Sequence, residues 1–251
     1  MKHGIYAFIV VLFCFFLSGC ATLYNPATGK NEIILIDTQT EINIGKNVSQ
    51  EVTRRNRLSS DERLNARVKR IGSRIALVSD RKDIVYSFYV LDSNDFNAIS
   101  VPGGSIYVYK GLLEALNDDE LAFVLGHEVG HLAARHAIKN IQANMAYSLL
   151  IQIALTGISQ NTGVETQSVS QGVNAIYNLI ELGFSRKDEF EADRLGMNYA
   201  LRAGFPPKAS LSALGKIKTQ EGESSSGRIM GYLRTHPYTD DRIKALEKIM
   251  P

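Results

Sequence analysis

From Leu121 to Ala134 the chain is almost wholly apolar, yet this stretch contains His127, Glu128 and His131. Asn117-Asp118-Asp119 precede it as caps and put negative charge at the positive end of a helix that should run to about Met145. A buried helix carrying two imidazoles and a carboxylate must give all three a partner, because unpaired polar groups are costly inside a protein. Histidines at i and i+4 point the same way, about one turn apart. Glu128 stands about 100° further round, within reach of a water held by such a pair without being a ligand. HEVGH therefore reads as a zinc hydrolase site in which His127 and His131 bind the metal and Glu128 is the base. Gly130 has no side chain, so a neighbouring helix can approach there.

Zinc hydrolases use a third protein ligand and leave one position open. A metzincin spacing would need Gly at 134 and His at 137, where the chain has Ala134 and Ala137. His136 is one residue out of register, about 180° around the helix from His127, and reads as a contact to a second helix or to solvent. A glutamate from another helix is the remaining route, and Phe184–Asp193 (FSRKDEFEAD) offers it. Glu189 and Asp193 are i and i+4 on one face. Glu189 becomes the third ligand of one zinc per chain, and Asp193 the acceptor for a ligand histidine's ring N–H. Asp188 and Glu191 are assigned to a solvated face, Glu191 about 200° round from Glu189.

The chain has 251 residues, 45% hydrophobic and 22% charged, enough for one sizeable domain. A formal net charge of +2 without a polybasic tract gives no reason to expect nucleic acid as a partner. Residues 1–19 read as a signal peptide: a positive head, then 13 apolar residues from Ile5 to Leu17, too few to span a bilayer. Leu17-Ser18-Gly19-Cys20 resembles a bacterial lipobox, which makes Cys20 the lipidated N-terminus of the mature chain. As the only thiol left after cleavage, Cys20 cannot form an internal disulfide. Ala21 in place of Asp favours the periplasmic face of the outer membrane. Residues 20–37 read as a lipidated tether and 38–251 as the peptidase domain.

Within that domain helices are expected over Thr38–Arg57, from Ser59 with Glu62 closing a capping box, over Lys208–Gln220, and from Thr239 to the end. Ile84–Leu91, Phe96–Val101 and Ser105–Tyr109 read as strands, the last two joined by a tight turn at Pro102-Gly103-Gly104. Met145–Ile158 is apolar but only 14 residues long and holds Gln152, so it reads as a buried or interfacial helix. Asn161–Gly172 reads as a loop, Val173–Ala203 as one long helix, and Glu221–Gly227 as a loose loop. The fold class is α+β: mostly helical, with a small sheet.

HEVGH, FSRKDEFEAD and the upstream NAISVPGGSIYVYKGLL together resemble the zinc metallopeptidase family of the CAAX prenyl protease and the HtpX-type heat-shock protease. The soluble envelope lipoproteins of the BepA-like and LoiP-like branch are closest in layout, and the likeness runs from about Glu41 to Ile249. It implies that Glu189 is the glutamate ligand. It also implies that Asn97, Ala98, Ile99, Ser100 and Val101 form the edge strand of the cleft and pair with the substrate backbone. A late His-Pro followed by Arg falls on His236, Pro237 and Arg242. His236, helped by Arg242, is expected to donate to the oxyanion, and without substrate to reach the open metal position and block it. No helical-repeat region follows Pro251, so a chaperone role built on such a tail is not expected. The implied activity is hydrolysis of unfolded or misassembled envelope polypeptides by a chain tethered to the membrane through its lipid. The rival reading is a non-proteolytic outer-membrane assembly factor or chaperone that retains the metal site.

Overall fold

The computed structural model describes residues 22–145, 166–223 and 229–250. Cys20 and the signal segment, most of Met145–Ile158 and the first part of the Asn161–Gly172 loop lie outside the described residues. The chain opens with β1 (Thr22–Asn25) and β2 (Lys30–Ile33), an antiparallel hairpin turned at Gly29. The tether expected here is docked: the Asn25 side-chain amide donates to the Ala133 carbonyl at 3.2 Å, and Ala27 is buried.

Two helices follow, α1 (Thr38–Arg55) and α2 (Glu62–Val78). Asp61 caps α2, in place of the expected Ser59, because its carboxylate accepts from the Arg63 and Leu64 amides. Leu64, Val68, Ile71 and Ile75 are buried, as their four- and three-residue steps require. Then come β3 (Ser87–Leu91), β4 (Ala98–Val101) and β5 (Ser105–Tyr109), in the spatial order β3-β5-β4. β3 pairs parallel with β5 and β4 antiparallel, which leaves β4 at the edge. Ala98, Ile106 and Val108 face the main core, while Ile99, Val101, Tyr107 and Tyr109 pack with Val48 and Val52 of α1. Cover on both faces explains why these strands show little polar alternation.

Short α3 (Lys110–Ala115) leads to α4 (Asp118–Ala133), whose start is a capping box of Asn117 and Glu120. The single helix expected through Met145 is broken. Arg135 takes a left-handed conformation (φ 55°), and α5 (residues 136–145) begins after it. The second long helix is broken too, into α6 (Thr166–Glu181) and α7 (Arg186–Arg202). Gly183 at φ 82° ends the first, and Ser185 with Asp188 forms a capping box for the second. Residues 166–172, expected as loop, belong to α6. The chain closes with α8 (Ala209–Glu223), the unforeseen short α9 (Met230–Thr235) and α10 (Thr239–Ile249). Glu221 to Glu223, expected as loop, lie in α8. No helix among the described residues is long and apolar enough to cross a membrane.

The main packing event is α4 against α7. A Cβ on Gly126 would sit 2.6 Å from the Gly196 carbonyl oxygen, and one on Gly196 would sit 2.6 Å from the His127 nitrogen. The two helices therefore touch backbone to backbone. Gly130 meets the expectation made for it, with Ala192 O 3.0 Å from where its Cβ would be.

Candidate metal centre

Helix α4 carries His127, Glu128 and His131 and α7 carries Glu189 and Asp193, so their contact brings all five together. The two Nε2 atoms of His127 and His131 lie 2.9 Å apart. Glu189 Oε2 is 3.5 Å from His127 Nε2, and its Oε1 is 3.3 Å from His131 Nε2. His236 enters from the C-cap of α9, with Nδ1 3.3 Å from His127 Nε2 and 3.2 Å from Glu189 Oε1. One ligand atom from each of His127, His131, Glu189 and His236 falls within 4.8 Å of all the others, and all four residues are buried.

The donor set fits a cation. His127 donates its Nδ1–H to Asp193 Oδ1 at 2.9 Å, which leaves a lone pair on Nε2 aimed into the cluster. Burial and the neighbouring His127 push His131 well below its usual pKa. Two imidazole nitrogens and a carboxylate brought to one point are the donor set of a three-ligand zinc site. Burial alone would raise Glu189, but the charges of His236 and Arg242 outweigh it and hold the carboxyl well below the usual range.

Arg242, fully buried, stands behind the ligands. Its Nε and Nη2 donate to both oxygens of Asp193 at 2.8 and 2.7 Å, and Nη1 lies 2.9 Å from Glu189 Oε2. It also contacts the Tyr232 hydroxyl, the His236 carbonyl and, through Nη2 at 3.4 Å, His127 Nδ1. The sequence placed Arg242 beside the oxyanion with His236. The structure instead engages its guanidinium with Asp193 and Glu189, and it reaches His236 only through that residue's backbone.

Glu128 is 1% exposed and neither carboxylate oxygen has a hydrogen bond; Oε1 lies 3.4 Å from His236 Nε2. The same Nε2 is 3.3 Å from the carbonyl of Ala98. Asn97, Ala98, Ile99, Ser100 and Val101 are all buried, and the Thr235 hydroxyl reaches the Asn97 side chain at 3.2 Å. The edge strand is thus where the sequence placed it, but the α9 end covers it.

Phe184 and Glu191 escaped the sequence reading as partners of the site, while His136 makes the second-helix contact expected of it. Phe184 stacks on His131 with ring centroids 4.0 Å apart. His136 contacts His131, and Glu191 contacts His136, so the solvated face assigned to Glu191 and Asp188 is corrected: Glu191 faces an imidazole, and Asp188 caps its own helix. The Ser185-x-x-Asp188 spacing was a readable signal for that helix start. The left-handed Arg135 that turns His136 inward has no sequence signature, since arginine does not favour it.

Residues 62–250 match the family described as Peptidase family M48. The chain is 30% identical over 185 residues to the mitochondrial metalloendopeptidase OMA1 of Schizosaccharomyces pombe, covering 73% of this chain and 52% of that one. It is 27% identical over 187 residues to the beta-barrel assembly-enhancing protease of Yersinia pestis, covering 73% and 38%. Against the metalloprotease YcaL of Escherichia coli K12 it is 27% identical over 193 residues, covering 74% and 72%. The match thus spans about half the OMA1 relative and less of the assembly-enhancing one. With that match over the stretch that contains HEVGH, Glu189 and His236, the chain belongs to peptidase family M48.

Proposed function

We propose that this chain is a zinc-dependent endopeptidase of the bacterial cell envelope that hydrolyses unfolded or misassembled envelope polypeptides. His127, His131 and Glu189 hold the ion, and Asp193 orients His127. When bound, zinc supplies Lewis-acid chemistry: it polarises the scissile carbonyl and makes water a competent nucleophile near neutral pH. Glu128 takes the proton of the attacking water and returns it to the departing amine. The single observation that carries the reading is that carboxylate, buried beside the ligands with no hydrogen bond to either oxygen. A structural metal staple has no use for it, which disfavours a non-proteolytic assembly factor.

Asn97–Val101 would receive an extended substrate segment by strand addition, a mode that reads backbone and so tolerates many sequences. His236 then has two positions. As placed here its ring touches the ligand cluster, Glu128 and the Ala98 carbonyl, three things a substrate needs. That supports a closed state; with the α9 end withdrawn, the same imidazole donates to the oxyanion. The lipobox at Cys20 supports an envelope anchor over the mitochondrial setting named for the OMA1 relatives.

Glu128→Gln should keep zinc and lose casein cleavage, while a chelator should remove both from the parent; zinc loss in Glu128→Gln would sink the assignment of Glu128 as base. Metabolic palmitate label should enter the parent and not Cys20→Ser. Equal label in both would refute the anchor. His236→Ala separates the two positions: oxyanion support alone predicts about a hundredfold slower turnover, whereas gating predicts cleavage of folded bystanders.

A further inference from the structure

The Nδ1 atoms of His131 and His136 lie 2.9 Å apart, and His136 Nε2 is 3.2 Å from Glu191 Oε2. His136 is 1% exposed. In an unbroken helix residues 131 and 136 would stand about 140° apart and their rings would diverge. They meet because Arg135 adopts φ 55°, a conformation costly for any residue with a side chain. The Arg135 guanidinium is itself anchored, donating to the Thr38 hydroxyl at 2.9 Å and to Asp83 at 3.1 Å. Backbone held in such a place by its surroundings calls for a function.

Hydrogen bonding decides what that function is. Only one of the two facing Nδ1 atoms can carry the proton. Asp188 Oδ1 also lies 3.6 Å from His136 Nε2, so two carboxylates face that nitrogen and favour the proton there. With that as the ring's one proton, His136 Nδ1 is an acceptor, the Nδ1–H of His131 donates to it, and the His131 Nε2 lone pair is left pointing into the cluster. The opposite order would place the proton on His131 Nε2 and disable it as a ligand.

We propose that His136 and Glu191 are positioning residues: Glu191 fixes the tautomer of His136, which fixes the tautomer and ring orientation of His131. This rests on the reading of His127, His131 and Glu189 as zinc ligands. The nearest parallel is the carboxylate that orients a ligand histidine directly, with one imidazole interposed here.

The test uses the full chain and zinc alone. His136→Phe keeps the ring and removes the acceptor; zinc affinity measured by chelator competition should fall about 10- to 100-fold. His136→Gln can accept from His131 and donate to Glu191, and should restore most of that loss. In the cobalt-substituted protein the visible bands should shift in His136→Phe and return in His136→Gln. A His136→Phe variant with parental affinity and spectrum would overturn the relay, as would an equal loss in both variants. Should His136→Phe fail to fold, nitrogen-15 imidazole spectra of the zinc-loaded parent still decide. Protons on His131 Nδ1 and His136 Nε2 support the relay, and any other placement overturns it. A parent chain that binds no zinc would overturn the relay and the metal-site reading together.

Discussion

His127 and His131 are one turn apart on the same helix, yet their outer nitrogens are held by opposite means. Behind His127 stands Asp193, its two oxygens clamped by the fully buried Arg242, a charge brace sealed from water. Behind His131 stands His136, and then Glu191, whose side chain is 15% exposed and lies 3.5 Å from the exposed Lys30 of the hairpin. The contrast shows how a low-dielectric site can be supported in two ways. A brace of full charges is stiff but leaves a severe penalty when one member is lost. A relay of imidazoles moves the charge outward, to where solvent moderates its removal.

The largest effect should follow from Arg242→Met, which strips the buried Asp193 carboxylate of its cation and Glu189 of one of its two. The metal-free protein should lose about 3–5 kcal/mol in urea unfolding; a loss below about 1 kcal/mol would mean the brace is no brace. Next, Asp193→Asn should weaken zinc binding by about 10- to 100-fold, and Glu191→Gln by less than that in the same chelator assay. Equal losses would erase the difference between the two sides.

A third effect is a dependence on pH. The hydrogen bond from His136 outweighs burial and draws Glu191 down to about 2, against about 4.3 for an unfolded chain. A carboxyl with a depressed folded pKa stabilises the fold above its unfolded value, and that stability disappears as pH falls toward the folded value. Urea midpoints of the metal-free parent and Glu191→Gln should therefore differ above about pH 4 and converge toward pH 2. Midpoints that stay parallel throughout would show that Glu191 is not held by His136. The smallest effect belongs to Lys30→Ala, whose exposed pairing with Glu191 is expected to contribute under about 1 kcal/mol by the same urea measurement.

Asp193 was legible before any coordinates; its clamp by Arg242 and the whole relay side were not. Glu189 and Asp193 share a helical face with HEVGH as their target, so periodicity alone brings them in. Glu191 fails that test because a helical wheel asks only which way a residue points from its own helix. What lies on that side is His136 of α5, brought there by the helix break at Arg135, in the midst of a continuous helical pattern. The α6–α7 break went unread for a similar reason, although Gly183 and Ser185-x-x-Asp188 marked it. The strands and the edge position of β4 were legible. That the edge would be covered by the end of α9 was not, because that contact joins residues 138 positions apart in the chain.

The backbone contact between Gly126 and Gly196 fixes how far apart the helices bearing the ligands can stand. The spacing of the two ligand-bearing backbones is thereby set by main chain, and repacking elsewhere in the core should leave it unchanged. Selectivity by ionic size then resides about two helical turns from Glu189, at a residue that coordinates nothing. A methyl group at 196 would spread the set toward cations that form longer bonds, and the ratio of cadmium to zinc affinity in Gly196→Ala would report the spread.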